Sequence, residues 1–263
     1  MIKNKNILLQ IVVFLGLLFI QQTAISQTAF TRLVWSDEFN YNGAPDSLKW
    51  SYENGNGCPE NCGWGNNELE NYTSRPQNVI VQNGVLKITA IKEKYNGSDY
   101  TSSRILTKGK FAFKYGKVEV RAKLPAGMGT WPAIWMLGDN IDTAGWPASG
   151  EIDIMEHRGR DLNKIFGTLH YPGHSGGNAN GSTKMITNAT TAFHKYTLEW
   201  TPSFIRIYVD DQLYHTVANS AAIPFNHDFF FILNVAMGGG FGGAVDPAFT
   251  NSSMEIDYIR VYQ

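Results

Sequence analysis

The sequence predicts an all-β domain built from two antiparallel sheets packed face to face. Three observations carry that expectation. Apolar residues recur with a period of two, glycines and prolines punctuate the runs, and no stretch sustains a capped helical period. Residues 117–124 switch between polar and apolar at every step, as a strand with one buried face does. Residues 84–91 read as a second strand. Residues 204–209 and 213–217 flank Asp210-Asp211-Gln212, which predicts a hairpin with a tight turn. Residues 229–237 and 254–262 are further β-branched or aromatic runs. There is no internal repeat, low-complexity linker or composition break after residue 30, so residues 27–263 are expected to form one domain. Single β sandwiches commonly reach that size.

The first 26 residues have a different character. Lys3 and Lys5 give a positive start, residues 7–20 form an apolar run interrupted by Gln10, and Ala24-Ile25-Ser26 supplies small residues. This pattern predicts a signal peptide cleaved before Gln27, hence a secreted or periplasmic protein. The run is short of the roughly 20 residues a membrane span requires, and no later segment is longer, so no membrane association is expected after cleavage. A net charge of −1 offers no basic face for nucleic acid. Aromatic residues make up 13% of the chain and charged residues 17%, a balance suited to neutral ligands with flat apolar faces, of which sugars are the obvious class. The two cysteines, Cys58 and Cys62, enclose a short loop rich in Gly and Asn. Export favours a disulfide there. The alternative, a pair of metal-ligating thiolates, lacks two further ligands at suitable spacing.

The chemistry concentrates in Ser149-Gly150-Glu151-Ile152-Asp153-Ile154-Met155-Glu156. Three carboxylates on one strand repel, so they are either well solvated at a sheet edge or gathered for a purpose. Ile152, Ile154 and Met155 imply that the other face is buried, and carboxyls crowded on a half-buried strand acquire unequal pKa values. In a regular strand Glu151 and Glu156 point to opposite faces. A β-bulge near Ile154-Met155 would bring them to one face, with Cα atoms about 13 Å apart. Glutamates leaning inward could then approach the roughly 5–5.5 Å separation of a retaining glycosidase. Glu151 would attack the anomeric carbon, Glu156 would protonate the leaving oxygen and later activate water, and Asp153 would hold one or both in the right state. On these residues alone, a solvated acidic strand remains the competing reading.

Here the sequence resembles the laminarinase-like branch of glycoside hydrolase family 16. Glu-Ile-Asp-Ile-Met-Glu looks like that family's bulged catalytic motif. Family-like blocks lie around it in family order: Trp64-Gly65-Asn66-Asn67-Glu68-Leu69-Glu70, Thr101-Ser102-Ser103-Arg104, Trp131-Pro132-Ala133-Ile134-Trp135-Met136-Leu137, and the closing Asp257-Tyr258-Ile259-Arg260-Val261-Tyr262-Gln263. The resemblance runs from about Leu33 to the end. It implies a β-jelly-roll sandwich with a sugar cleft across its concave sheet. It also implies retaining cleavage of internal β-1,3 bonds in laminarin-type glucans, with mixed-linkage glucans as further candidates. Glu151 is then the nucleophile, Asp153 the assisting acid and Glu156 the acid/base. No cofactor is expected for catalysis, and a monomer is expected.

Trp131 and Trp135 share one parity, so both would face the cleft as platforms for pyranose rings; a two-Trp core layer is the plain alternative. Trp146, in the loop before the acidic strand, is a further candidate. His170 is expected to bond sugar hydroxyls or the carboxyl trio. His174, four residues on, invites a metal reading, but Pro172-Gly173 rules out the helix that would align the two. Asn67, Arg104 and Asn234 resemble family residues that contact sugar hydroxyls. The resemblance also implies a structural Ca²⁺ on the convex side, held by Glu38, the backbone of Gly84 and Asp257. One departure stands out: Gly238-Gly239-Gly240-Phe241-Gly242-Gly243 replaces the Gly-Gly-Asn-Trp that family members often carry, so a subsite there is expected to differ. The alternatives are a hydrolase of agarose, porphyran or carrageenan, and a non-catalytic β-glucan-binding protein. Relatives of the latter kind have lost one or both glutamates, which this chain retains.

Overall fold

A computed structural model describes residues 30–263; the expected signal segment and its cleavage point before Gln27 lie outside the described residues. Seventeen strands follow in chain order: β1 (Leu33–Asp37), β2 (Ser51–Glu53), β3 (Glu70–Tyr72), β4 (Val79–Gln82), β5 (Val85–Tyr95), β6 (Ser98–Ser102), β7 (Arg104–Leu106), β8 (Gly116–Lys123), β9 (Thr130–Gly138), β10 (Glu151–His157), β11 (Lys164–His170), β12 (Asn180–Met185), β13 (His194–Trp200), β14 (Phe204–Val209), β15 (Gln212–Ala218), β16 (Phe229–Met237) and β17 (Asn251–Tyr262). The predicted runs at 204–209 and 229–237 coincide with β14 and β16, while β5 extends four residues beyond its predicted end. Asp210 and Asp211 both adopt positive φ (48° and 63°), which gives the tight hairpin turn expected between β14 and β15.

Ten strands form one sheet and seven the other, the latter in the order β12-β11-β10-β9-β16-β7-β2. Pairing is antiparallel except between β3 and β6, which run parallel. The sheets bury a shared core that includes Trp50, Trp200, Phe229, Phe231, Ile152, Ile154 and Met155. Alternation explains the layering: β8 reads buried and half-buried at every other residue, one face on the core and one outward. No helix among the described residues is long and apolar enough to cross a membrane. Cys58 and Cys62 are joined as a disulfide.

The positions named for Ca²⁺ adjoin in register, since β1 and β5 both pair with β17. The two carboxylates are engaged by arginines. Glu38 accepts two bonds from Arg260, at 2.9 and 2.8 Å, and Asp257 accepts one from Arg121. Gly84 forms the left-handed turn with Asn83 that joins β4 to β5. With both carboxylates paired to guanidinium groups, the arrangement lends no support to a divalent ion there, which takes six to eight oxygens.

Candidate active site

β10 lies inside the seven-stranded sheet between β11 and β9, and its register breaks once. On β9, Asp153 opposes Trp135 but Met155 opposes Ile134; on β11, Asp153 opposes Thr168 and Glu156 opposes Phe166. One residue is therefore extra on β10, and the parity of everything after it inverts. Ile154 and Met155 both enter the core, while Glu151, Asp153 and Glu156 line one cleft of about 1060 Å³.

The neighbouring strands build the cleft by the same parity. β9 contributes Trp131, Ala133 and Trp135, β11 contributes Phe166, Thr168 and His170, β16 contributes Asn234, and β7 contributes Arg104. Trp146 reaches the cleft from its loop and is half exposed. Asn67 does not line it. That residue is exposed and adopts φ 59°, a left-handed turn conformation, while its neighbours Asn66 and Glu68 face the cleft.

Each catalytic candidate has its own donors. Trp146 Nε1 donates to Glu151 Oε2 at 2.8 Å, and Trp131 Nε1 donates to Glu156 Oε1 at 2.9 Å. Thr168 Oγ1 donates to Glu156 Oε2 at 3.4 Å. His170 Nε2 lies 3.2 Å from Asp153 Oδ2 and 3.8 Å from Glu151 Oε1. Its Nδ1 accepts the backbone N–H of Gly176 at 3.1 Å. A neutral imidazole that accepts at Nδ1 carries its proton on Nε2, so His170 presents an N–H to the acids. Glu151, Asp153 and His170 do bring three potential metal-donor atoms within 4.8 Å of one another. A metal on Nε2 would need the tautomer that the Gly176 contact opposes, so this group fits a hydrogen-bond donor better than a ligand. His174 packs its ring on Tyr171 instead.

Burial dominates the titration of the trio. It pushes Glu151 up to about 8; the Asp153 charge adds to this, and His170 and the Trp146 N–H oppose it. Asp153 rises well above the usual carboxylate range, from burial first and the Glu156 charge second. Glu156 is also raised by burial, against the Trp131 N–H and His170. An oxygen of Asp153 and one of Glu151 lie within 4.8 Å of each other, so the two carboxyls titrate as a pair.

The sequence reading missed the walls. Phe241 packs against Trp131 and Phe166 at ring distances of 5.2 and 5.0 Å, and Arg158 lies over both Phe166 and Phe241. The Gly-rich loop thus covers an edge of Trp131 rather than leaving it open. Phe166 and Thr168 share the parity of His170 and were legible from it. At the far end Arg104 stacks between Trp64 and Trp135 and pairs with Glu53. Trp135 Nε1 is turned to Asn234 Oδ1 at 2.8 Å.

A bulged acidic strand at the base of an aromatic cleft is where this chain meets known proteins. The profile of Glycosyl hydrolases family 16 matches residues 66–260. The chain belongs to glycosyl hydrolases family 16. It is 45% identical over 247 residues to a beta-glucanase of Rhodothermus marinus, covering 88% of this chain and 85% of that protein. The catalytic domain of an endo-1,3-beta-glucanase (laminarinase) from Thermotoga petrophila superposes with a TM-score of 0.83 at 45% identity, covering 88% and 97% of the two chains. A LamA variant from Zobellia galactanivorans, solved with laminaritriose and laminaritetraose, gives 0.82 at 45% identity, covering 89% and 100%. As a family 16 hydrolase the protein shares their sandwich of two largely antiparallel sheets.

Proposed function

We propose that this protein is a secreted, retaining endo-β-1,3-glucanase that cuts internal bonds of laminarin-type glucans. The observation that carries the mechanism is the extra residue after Asp153, which turns Glu156 onto the cleft face that Glu151 already occupies. Glu151 attacks the anomeric carbon as the aglycone leaves with the proton of Glu156. Glu156 then takes a proton from water, which attacks the glycosyl-enzyme and frees Glu151. A reactive trio has Glu151 ionised, Glu156 protonated and a second proton on Asp153. That second proton belongs to the Asp153–Glu151 pair, and the N–H groups of His170 and Trp146 favour the form in which Glu151 is ionised. The chemistry requires two carboxyls and water, with no cofactor.

The walls support a neutral glucan over a sulfated galactan. Two cationic side chains that line the cleft, Arg104 and Lys108, are paired with Glu53 and Asp142. Flat aromatic surfaces remain for sugar C–H faces. Secretion is supported by the amino-terminal apolar run.

Reducing-sugar release from laminarin, lichenan and agarose tests the assignment, with NMR following the first anomer formed. The expected result is oligosaccharides from laminarin with the β anomer first. Turnover of agarose with laminarin untouched would overturn the substrate, and a first-formed α anomer would overturn the mechanism. Glu151→Ala and Glu156→Ala are each expected to abolish laminarin hydrolysis while binding survives on the aromatic walls.

A further inference from the structure

A second pair of carboxyls that the reaction does not use lies at the cleft, Glu68 on its wall and Glu70 behind it. Glu70 is fully buried, and Glu68, beside it, is 9% exposed. Glu70 Oε1 is buried and accepts from no donor, and burial, with the Glu68 carboxyl close by, raises Glu70 well above the usual carboxylate range, so that Glu70 keeps its proton and has Glu68 as the acceptor for it. Glu70 Oε2 accepts the backbone N–H of Met237 at 2.6 Å.

From this pair a chain of hydrogen bonds runs back to the cleft. Asn66 Nδ2 donates to Glu68 Oε1 at 3.0 Å, and Tyr72 Oη donates to Glu68 Oε2 at 3.0 Å. Asn234 Nδ2 donates to Tyr72 Oη at 2.9 Å, and Trp135 Nε1 donates to Asn234 Oδ1 at 2.8 Å. The direction of every link is forced. An indole N–H can only donate, so the amide oxygen of Asn234 must face it and the amide nitrogen must face Tyr72. The single hydroxyl proton of Tyr72 must then go to Glu68. Tyr72 and Asn234 are buried, where an unmade bond is costly. The Met237 contact ties the same pair to the start of the Phe241 loop, which Gly240 N–H also anchors on Asn66 O at 2.8 Å.

We propose that Glu70 is a positioning residue for glucan binding: by donating to Glu68 it terminates the Glu68–Tyr72–Asn234 chain that fixes the plane of Trp135 at the cleft floor. It touches neither substrate nor the catalytic trio. The proposal rests on the reading of the cleft as the glucan site and adds the device that sets one of its platforms.

The test is steady-state kinetics on laminarin with Glu70→Gln, Glu70→Leu and Tyr72→Phe. Glutamine can donate to Glu68 and accept from Met237; leucine can do neither. Tyr72→Phe keeps the ring but cuts the chain midway, so it carries the test should the leucine variant fail to fold. Loss of one buried bond predicts a KM raised about fivefold to tenfold in Glu70→Leu and Tyr72→Phe, with kcat and the pH profile of kcat held. Glu70→Gln is expected to return KM to within about twofold of the wild type, since both bonds are restored. An unchanged KM in Tyr72→Phe, or a glutamine variant as impaired as leucine, would overturn the proposal. Wild-type turnover of laminarin tests the reading of the cleft separately.

Discussion

Trp146, itself half exposed on its loop, donates its indole N–H to Glu151 at 2.8 Å. A loop tryptophan thus stabilises the charged form of one member of a buried acid trio, while Trp131 on β9 does the same for Glu156. The two bonds act on opposite ends of the proposed reaction, and their removal should be separable by pH.

Trp146→Phe keeps an aromatic wall and removes the donor. The donor lowers the pKa of Glu151, so its loss raises it, and the nucleophile is ionised only at higher pH. The acid limb of kcat/KM is expected to move up by up to about one pH unit, given that one unit is about 1.4 kcal/mol and the bond is partly solvated. A pH–rate profile with an unmoved acid limb would contradict the assignment of Glu151.

Trp131→Phe should act on the other limb. Its N–H lowers the pKa of Glu156, so the variant holds the acid's proton to higher pH and the alkaline limb moves upward. The shift expected is again about one unit or less. A downward shift would mean that Glu156 is not the proton donor.

Raised carboxyl pKa values make stability depend on pH. Glu151 goes from an ordinary value of 4.5 to about 8 on folding. Its folded form therefore binds a proton that the unfolded chain has lost, and that contribution is full below pH 4.5 and disappears as pH rises through 8. Glu151→Gln removes this dependence. The Tm gain of the variant over the wild type is expected to be larger at pH 8 than at pH 5 in thermal unfolding; an equal difference at both would refute the burial account.

Deleting Ile154 tests the parity argument directly. Without the extra residue a regular strand still places Glu151, Asp153 and Glu156 on one face. The variant is expected to lose about 2–5 kcal/mol of stability with the buried side chain, yet keep measurable laminarin hydrolysis. A folded deletion variant with no turnover would show that the bulge's geometry, and not the shared face alone, is required.

Much of this was legible because a strand's period is short and local. Alternation located β8, the turn at Asp210-Asp211 located β14, an aromatic run marked β16, and the parity rule required a bulge for Glu151 and Glu156 to share a face. Trp131 and Trp135 could be put on one face for the same reason, whereas His170 and Asn234 were placed by the family resemblance. Asn67 could not, because in a left-handed turn parity fails and the side chain turns to solvent. The arginine partners of Glu38 and Asp257 were equally hidden, lying 222 and 136 residues away along the chain.

The sequence by itself determined the sandwich, the acidic strand and the chemistry its carboxyls can perform, since these follow from residue type and local period. Tertiary structure decided which groups meet: Trp146 with Glu151, Trp131 with both Glu156 and Phe241, and Glu70 with the end of β16. Those contacts join strands and loops distant in the chain. Burial and hydrogen bonding, which set protonation and orientation, exist only once the sheets have closed.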